Sequence, residues 1–266
     1  MKNLTIIIPI HKKVSEELLK NCVESIKFQT NTKEKINLLF VIPPDDEIEK
    51  QITDLKIDQD KIISKTLIND GITLYQNQVN FAVENITTKY FTVLEFDDEL
   101  SNVYIKNVKT YIKYYPDVDV FLPLIIEANT KNEAIKLTNE SPWSRQNVGE
   151  NEEIGFLNKN VLNTVSDFKL SGAIIKTDSF KNIGGYKTKI QLTFMYEYLL
   201  RSLNNGHKIM TIPKVIYKHL MDREGSVFDI AMKETTIQQR KFWFETAKKE
   251  YLFNNDRDID ISKMYE

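Results

Sequence analysis

Tyr90-Phe91-Thr92-Val93-Leu94-Glu95-Phe96-Asp97-Asp98-Glu99-Leu100-Ser101 is the stretch on which the reading of this chain turns. The apolar run from Tyr90 to Leu94 has the character of a buried strand, and four acids follow it within five positions. Side chains alternate along a strand, so Glu95 and Asp97 project in the same direction. Two carboxylates leaving one strand end make a hard oxygen site suited to Mg²⁺ or Mn²⁺, ions usually shared with a ligand's phosphates. The plain alternative is an acidic turn that ends a strand and caps a helix, because Ser101 precedes Val103, Ile105 and Val108. The surrounding chain has to decide between them.

Upstream, Leu4 to Ile8 is an almost unbroken apolar run ended by Pro9, as expected of a strand covered on both faces. Ser15 can cap a helix whose first turn carries Glu16 and Glu17, and Leu18, Leu19, Cys22, Val23 and Ile26 keep helical spacing. Ile36 to Ile42 is a second apolar strand, stopped by Pro43-Pro44. Strand, helix and strand within about forty residues form a βαβ unit, so the sheet is parallel here. A short strand near Ile62-Ile63, a turn at Asn69-Asp70-Gly71 and a helix carrying Val79, Ala82, Val83 and Ile86 lead into the acidic strand.

Downstream, Val103 to Tyr115 reads as an amphipathic helix and Val118 to Ile126 as a strand. Ala128 to Glu153 is polar and without period, with Trp143 isolated in it, the profile of a functional loop. Phe156 to Val165 suggests a short helix, Leu170 to Ile175 a strand, and Phe194 to Leu203 a helix that stops at Asn204-Asn205-Gly206. His207 to Ile212 and Val215 to Lys218 read as two strands separated by Pro213. From Phe228 to Leu252 the pattern is helical, with Ile237, Phe244 and Tyr251 seven residues apart. That helix either packs back on the domain or pairs with a second molecule.

Composition narrows the function classes. The chain has 266 residues, 41 % of them apolar, enough for one large core. A net charge of −2 with mixed signs gives no electrostatic grip on nucleic acid or an anionic membrane. One cysteine, Cys22, excludes an intrachain disulfide framework and fits a reducing compartment. No stretch approaches the roughly 20 apolar residues of a membrane span, and the N-terminus lacks a signal-peptide pattern. The expectation is a soluble cytoplasmic protein. The eight glycines never fall as GxGxxG or a Walker loop, no Cys/His group has zinc spacing, and no serine sits in a GxSxG elbow. A phosphate ligand would therefore be held through a metal and side chains.

Four stretches together resemble the family-2 glycosyltransferases, nucleotide-sugar enzymes of the GT-A fold that usually invert the anomeric centre. They are Thr5 to Ile10 followed by His11; Gly71 to Asn80; Tyr90 to Asp98, similar to that family's Asp-x-Asp motif; and a late set. The late set comprises Ser171-Gly172-Ala173, Ile183 to Tyr186, Leu200-Arg201, Gly206 to Ile209 and Tyr217-Lys218-His219. Order and spacing match over about residues 3–226. The resemblance implies an α/β chain: a GT-A, Rossmann-like mixed sheet flanked by helices over 1–226, with a C-terminal helical extension over 227–266.

Carried over by position, the resemblance implies Asp97 as the ligand of a Mn²⁺ or Mg²⁺ ion bridging the donor diphosphate, with His219 completing the metal shell. Glu95 takes the place that contacts ribose and sugar, and Asp98 that of the extra acid near donor sugar or acceptor, here grouped with the catalytic residues. Pro9, His11, Asp45, Asn77 and Phe96 fall at donor-binding positions and Gly172 on the acceptor side; Trp143, in the 127–160 loop that the resemblance does not reach, is either a core plug or an exposed aromatic platform for the acceptor. His11 stands where the family has a tyrosine, and Pro43-Pro44-Asp45-Asp46 where it has Asp-Asp-Gly-Ser, so the donor's base does not follow. Inversion needs a general base for the acceptor hydroxyl. Aligning Arg201 puts Phe194 and Met195 at the family's Glu-Asp pair and leaves Glu197 as the candidate base.

The leading expectation is thus metal-dependent transfer of a sugar from a nucleoside diphosphate to a hydroxyl of a glycan, lipid-linked glycan, protein or modified base. Two others stand beside it. A non-catalytic GT-A-like domain would bind sugar nucleotides and act in a complex through the 228–252 helix. A nucleotidyltransferase also uses paired acids, but His11-Lys12-Lys13 lacks the glycines its phosphate loop needs.

Overall fold

The computed structural model describes residues 3–11, 14–29, 36–55, 62–66, 74–140, 155–190, 192–221 and 226–253. The first half alternates strands and helices: β1 (Leu4–Pro9), α1 (Glu16–Lys27), β2 (Asn37–Ile42), α2 (Asp46–Asp54), β3 (Ile62–Thr66), α3 (Leu74–Glu84) and β4 (Tyr90–Val93). After the acidic turn come β5 (Glu99–Leu100), α4 (Tyr104–Tyr114), β6 (Val120–Ala128) and β7 (Ala134–Thr138). Then follow α5 (Lys159–Thr164), β8 (Ile174–Lys176), α6 (Thr177–Asn182), α7 (Phe194–Asn204) and β9 (Ile209–Leu220). Two helices, α8 (Val227–Glu234) and α9 (Ile237–Lys248), and a π-helical turn, Lys249–Phe253, close the described chain.

One mixed sheet runs in the order β3-β2-β1-β4-β8-β6-β9-β5, with β7 beside β6. β3, β2, β1 and β4 are parallel, as the βαβ reading requires, whereas β8 runs against both β4 and β6. The isoleucines of β1 split by parity. Ile6 and Ile8 join the core under α1, α2 and α4; Ile7 joins the core under α3, α6 and α7. Both faces are covered, which is why the strand shows no polar alternation.

Three sequence expectations need correction. Pro213 does not separate two strands: β9 is continuous, and the register against β6 shifts from Pro123–Ile212 to Leu124–Val215. Proline has no N–H to give the ladder, and a bulge absorbs it. The polar stretch after Ala128 is not structureless up to residue 140. Ala134–Thr138 pairs antiparallel with Ile125–Ala128, while Trp143 lies outside the described residues. The C-terminal helix is two helices, divided where Thr236 and Gln239 form a reciprocal capping box.

That C-terminal segment packs back on the domain. Phe244 stacks on Tyr196 at 4.5 Å between ring centroids, and Ala247 and Tyr251 are buried in the core beneath α7. Ile237 and Phe242 are left exposed. No helix among the described residues is long and apolar enough to cross a membrane.

Candidate active site

In an open parallel sheet, ligands bind beyond the carboxyl ends of strands where neighbouring crossovers leave in opposite directions. β1 occupies that position, with β2 on one side and β4 on the other. Gln78 of α3, fully buried, fixes the two strand ends by donating to the carbonyls of Ile10 at 2.7 Å and Val41 at 3.0 Å. A cavity of about 690 Å³ opens beyond them. Pro9, His11, Glu95, Phe96 and Asp97 line its sheet end, together with Ser171 and His219. His11 and Phe96 lie 5.8 Å apart between ring centroids.

The acidic turn is built by its partner strand. Asp98 N–H bonds back to the Glu95 carbonyl at 3.0 Å, and the chain then pairs Glu99–Leu100 with Tyr217–Lys218 of β9. This lays Asp98 against the end of β9. Its buried carboxylate accepts from the Tyr217 hydroxyl at 2.6 Å and the Leu220 N–H at 2.9 Å, and meets His219 Nδ1 at 2.9 Å. Glu95 accepts from the Ser171 hydroxyl at 2.9 Å. Burial, and then the neighbouring Asp98, push the Glu95 carboxyl above the usual carboxylate range. Burial alone would lower the His219 imidazole, but the Asp98 carboxylate outweighs it and pushes it up to about 9.

Glu95, Asp98 and His219 each offer a ligand atom within 4.8 Å of the others. Two carboxylate oxygens and an imidazole nitrogen fit Mn²⁺ or Mg²⁺, with Asp97 on the same cavity wall. Tyr217 orients both Asp98 and, through a 3.3 Å bond from the Glu95 N–H, the turn itself; the sequence places it in the Tyr217-Lys218-His219 stretch without assigning it a role. Its signal was available: it precedes His219 by two and so shares its strand face.

Not every expected residue reaches this place. Asp45 caps α2, its Oδ1 accepting from Glu47 and Ile48 N–H groups, and does not line the cavity. Neither does Asn77, although its neighbours Tyr75 and Gln76 do. Gly172 is buried and does not line the cavity; its φ is positive, and an added Cβ would run into the Tyr217 ring.

Glu197 does not have the setting of a general base. It is 1 % exposed and absent from the cavity wall, and its oxygens are bound by Arg201 at 2.7 and 3.0 Å, Tyr251 at 2.9 Å and Lys187 at 3.1 Å. One helical turn earlier, Phe194 and Met195 do line the cavity, as do Met232 and Phe244 of the C-terminal helices. Among the described residues, two acids outside the 95–98 turn line it as well. Asp167 pairs with Lys136 at 2.8 Å, and Asp229 of α8 with Lys233 at 2.9 Å. A second basic residue of the wall, Lys169, is tied at 2.9 Å to the fully buried Glu127.

Similar structures have this architecture. Residues 1–349 of TarS from S. aureus, crystallised with UDP-GlcNAc, superimpose with a TM-score of 0.67 at 16 % identity, covering 92 % of this chain and 65 % of that one. The same fragment with UDP gives 0.62 at 14 % identity, covering 97 % of this chain and 75 % of that one. A teichoic acid poly(glycerol phosphate) polymerase of Staphylococcus epidermidis is 25 % identical over 243 residues, 91 % of this chain. The chain spans about a third (31 %) of the length of that curated relative. Residues 5–182 match the model of glycosyl transferase family 2, and with two thirds of its length so matched, the chain belongs to that family.

Proposed function

We propose that this protein transfers a sugar from a nucleoside diphosphate to an acceptor hydroxyl, with inversion, in a site that takes Mn²⁺ or Mg²⁺. The observation that carries the reading is the gathering of Glu95, Asp98 and His219 at the sheet end of a cavity of about 690 Å³, which Glu95 and His219 line and which Asp98 backs from its bond to His219. A cavity of that size suits one nucleotide sugar. UDP-GlcNAc and UDP in the TarS crystals support a nucleoside-diphosphate donor.

The residues divide the work. His11 and Phe96 offer flat faces for a base, and Glu95 and Asp97 face the diphosphate and ribose from the end of β4. Glu95, Asp98 and His219 would hold the ion, with Asp97 on the same cavity wall completing its shell. When bound, the cation supplies positive charge against the departing diphosphate. For the acceptor's proton we assign Asp229. Of the two described acids that line the cavity outside the 95–98 turn it is the less exposed, with 28 % of its side chain accessible against 66 % for Asp167. A carboxylate sheltered from bulk water can meet the acceptor hydroxyl directly, within hydrogen-bond reach of the proton it takes.

The test is release of nucleoside diphosphate from a panel of nucleotide sugars with Mn²⁺ present. Asp97→Ala should lower it by at least a hundredfold, and pyrophosphate release from nucleoside triphosphates should be absent. Full activity in Asp97→Ala would overturn the metal assignment. Asp229→Asn should cut acceptor-dependent transfer by about 10²- to 10⁴-fold while nucleotide affinity holds. If Asp167→Asn does this instead, Asp229 is not the base.

A further inference from the structure

A second, smaller cavity of about 190 Å³ adjoins the first. Leu192 and Thr193 line both, and α9 faces both, offering Phe244 to the large cavity and Trp243 to the small one. Lys189, Gln239 and Arg240 complete the small cavity's polar wall, and among the described residues no carboxylate lines it. Its charge is therefore opposite to that of the 95–98 end.

Lys136 and Lys169 of the large cavity are each held by an acid, Asp167 and Glu127. Among the described residues Lys189 and Arg240 form no such ion pair. Arg240 is nonetheless held in place, because its Nη1 donates to the Met232 carbonyl at 3.3 Å and to the Thr235 hydroxyl at 3.1 Å. A fixed guanidinium beside an ammonium, in a space too small for a nucleotide, suits one tetrahedral dianion or phosphodiester.

We infer that this cavity is an acceptor subsite for a phosphate group. The acceptor is a phosphate-bearing polyol or sugar chain that crosses Leu192 and Thr193, one phosphate resting on Lys189 and Arg240 while a hydroxyl one or more units away reaches the donor. Trp243 offers its ring to the carbon chain between phosphates. The inference rests on the sugar-transfer reading, which supplies the donor end of the path, and extends it by naming the acceptor's chemistry.

Direct binding tests it on the full chain, by calorimetry with a synthetic glycerol-phosphate oligomer, uncharged maltohexaose and poly-glutamate of equal charge. The glycerol-phosphate oligomer should bind, more weakly as salt is raised, and the other two should bind at least tenfold more weakly. Lys189→Glu disturbs none of the hydrogen bonds that fix Arg240, and should weaken oligomer binding at least tenfold with UDP affinity unchanged within twofold. Arg240→Lys should retain part of the binding that Arg240→Gln loses. No binding by the wild-type protein, equal binding of poly-glutamate or maltohexaose, or unchanged affinity in Lys189→Glu would each overturn the subsite. Oligomer binding in a protein that binds no nucleotide sugar from the panel would leave the subsite standing and bring down the transfer reading instead.

Discussion

Asp98 sits in an acidic run, yet it is the most enclosed carboxylate of that run and has three partners on β9. Its effect is clearest at His219, whose imidazole it holds at about 9 against burial. The sign of the resulting pH dependence follows from linkage. The folded-state value lies above the unfolded value of about 6.5, so the folded protein binds the proton more tightly. The stabilisation is fully present below about pH 6.5 and is lost as pH rises through about 9, at up to about 1.4 kcal/mol per pH unit for this one proton. Urea titrations of metal-free protein at pH 6.5 and 9 should show that fall, and His219→Gln should remove its share of it. Mn²⁺ must displace the same proton, so its affinity should climb across that interval. An affinity for Mn²⁺ independent of pH would show that His219 is not a ligand.

At the scale of elements, Gly172 shows how a turn before one strand shapes a site on another. The residue has φ +67° and precedes β8, and a side chain there would run into the Tyr217 ring, with Cε2 only 2.8 Å from an added Cβ. Tyr217 cannot move without releasing Asp98 and the Glu95 N–H. Gly172→Ala combines left-handed backbone strain with overpacking, each worth about 1–3 kcal/mol. The expected result is a destabilisation of roughly 2–4 kcal/mol, read by denaturant unfolding, together with weaker Mn²⁺ binding. The parts of the fold that were legible in sequence share one property: their periodicity is local. β1, β2, β4, α1 and α7 could each be read from their own residues. β5 is two residues long and exists only because Tyr217 and Lys218, more than a hundred positions later, receive it. β7 forms against β6, and β9 continues through Pro213 by shifting register on β6. Such pairings leave little trace in a single segment. The site divides in the same way. The acids at 95–98 and His219 were visible as residue types at matching positions, whereas Asp45 took a helix cap, a role equally natural for an aspartate after two prolines.

For the molecule as a whole, the decisive question is how the C-terminal segment is attached, and Glu197 is the attachment point. Its carboxylate joins Arg201 and Lys187 to Tyr251 in the π-helical turn, and Lys187 reaches Glu250 as well, at 3.5 Å. Arg201 in turn donates to the carbonyls of Ile183 and Gly185, so the Gly184-Gly185 turn, α7 and the chain's last described turn share one polar junction. The aligned position had suggested a catalytic base, and the two roles predict different failures of Glu197→Gln. A lost base lowers turnover by about 10²- to 10⁴-fold and leaves stability nearly unchanged. A lost junction leaves Arg201 buried beside a neutral amide, an uncompensated charge that costs about 3–5 kcal/mol. We expect the second: a large loss in unfolding free energy, with nucleotide-sugar turnover per folded molecule within a few-fold of wild type below the new midpoint. Because Met232 and Phe244 of the attached helices form part of the cavity wall, acceptor KM should rise more than donor KM as the junction loosens. A Glu197→Gln protein of wild-type stability and no turnover would restore the catalytic role and break this account of how the extension is held.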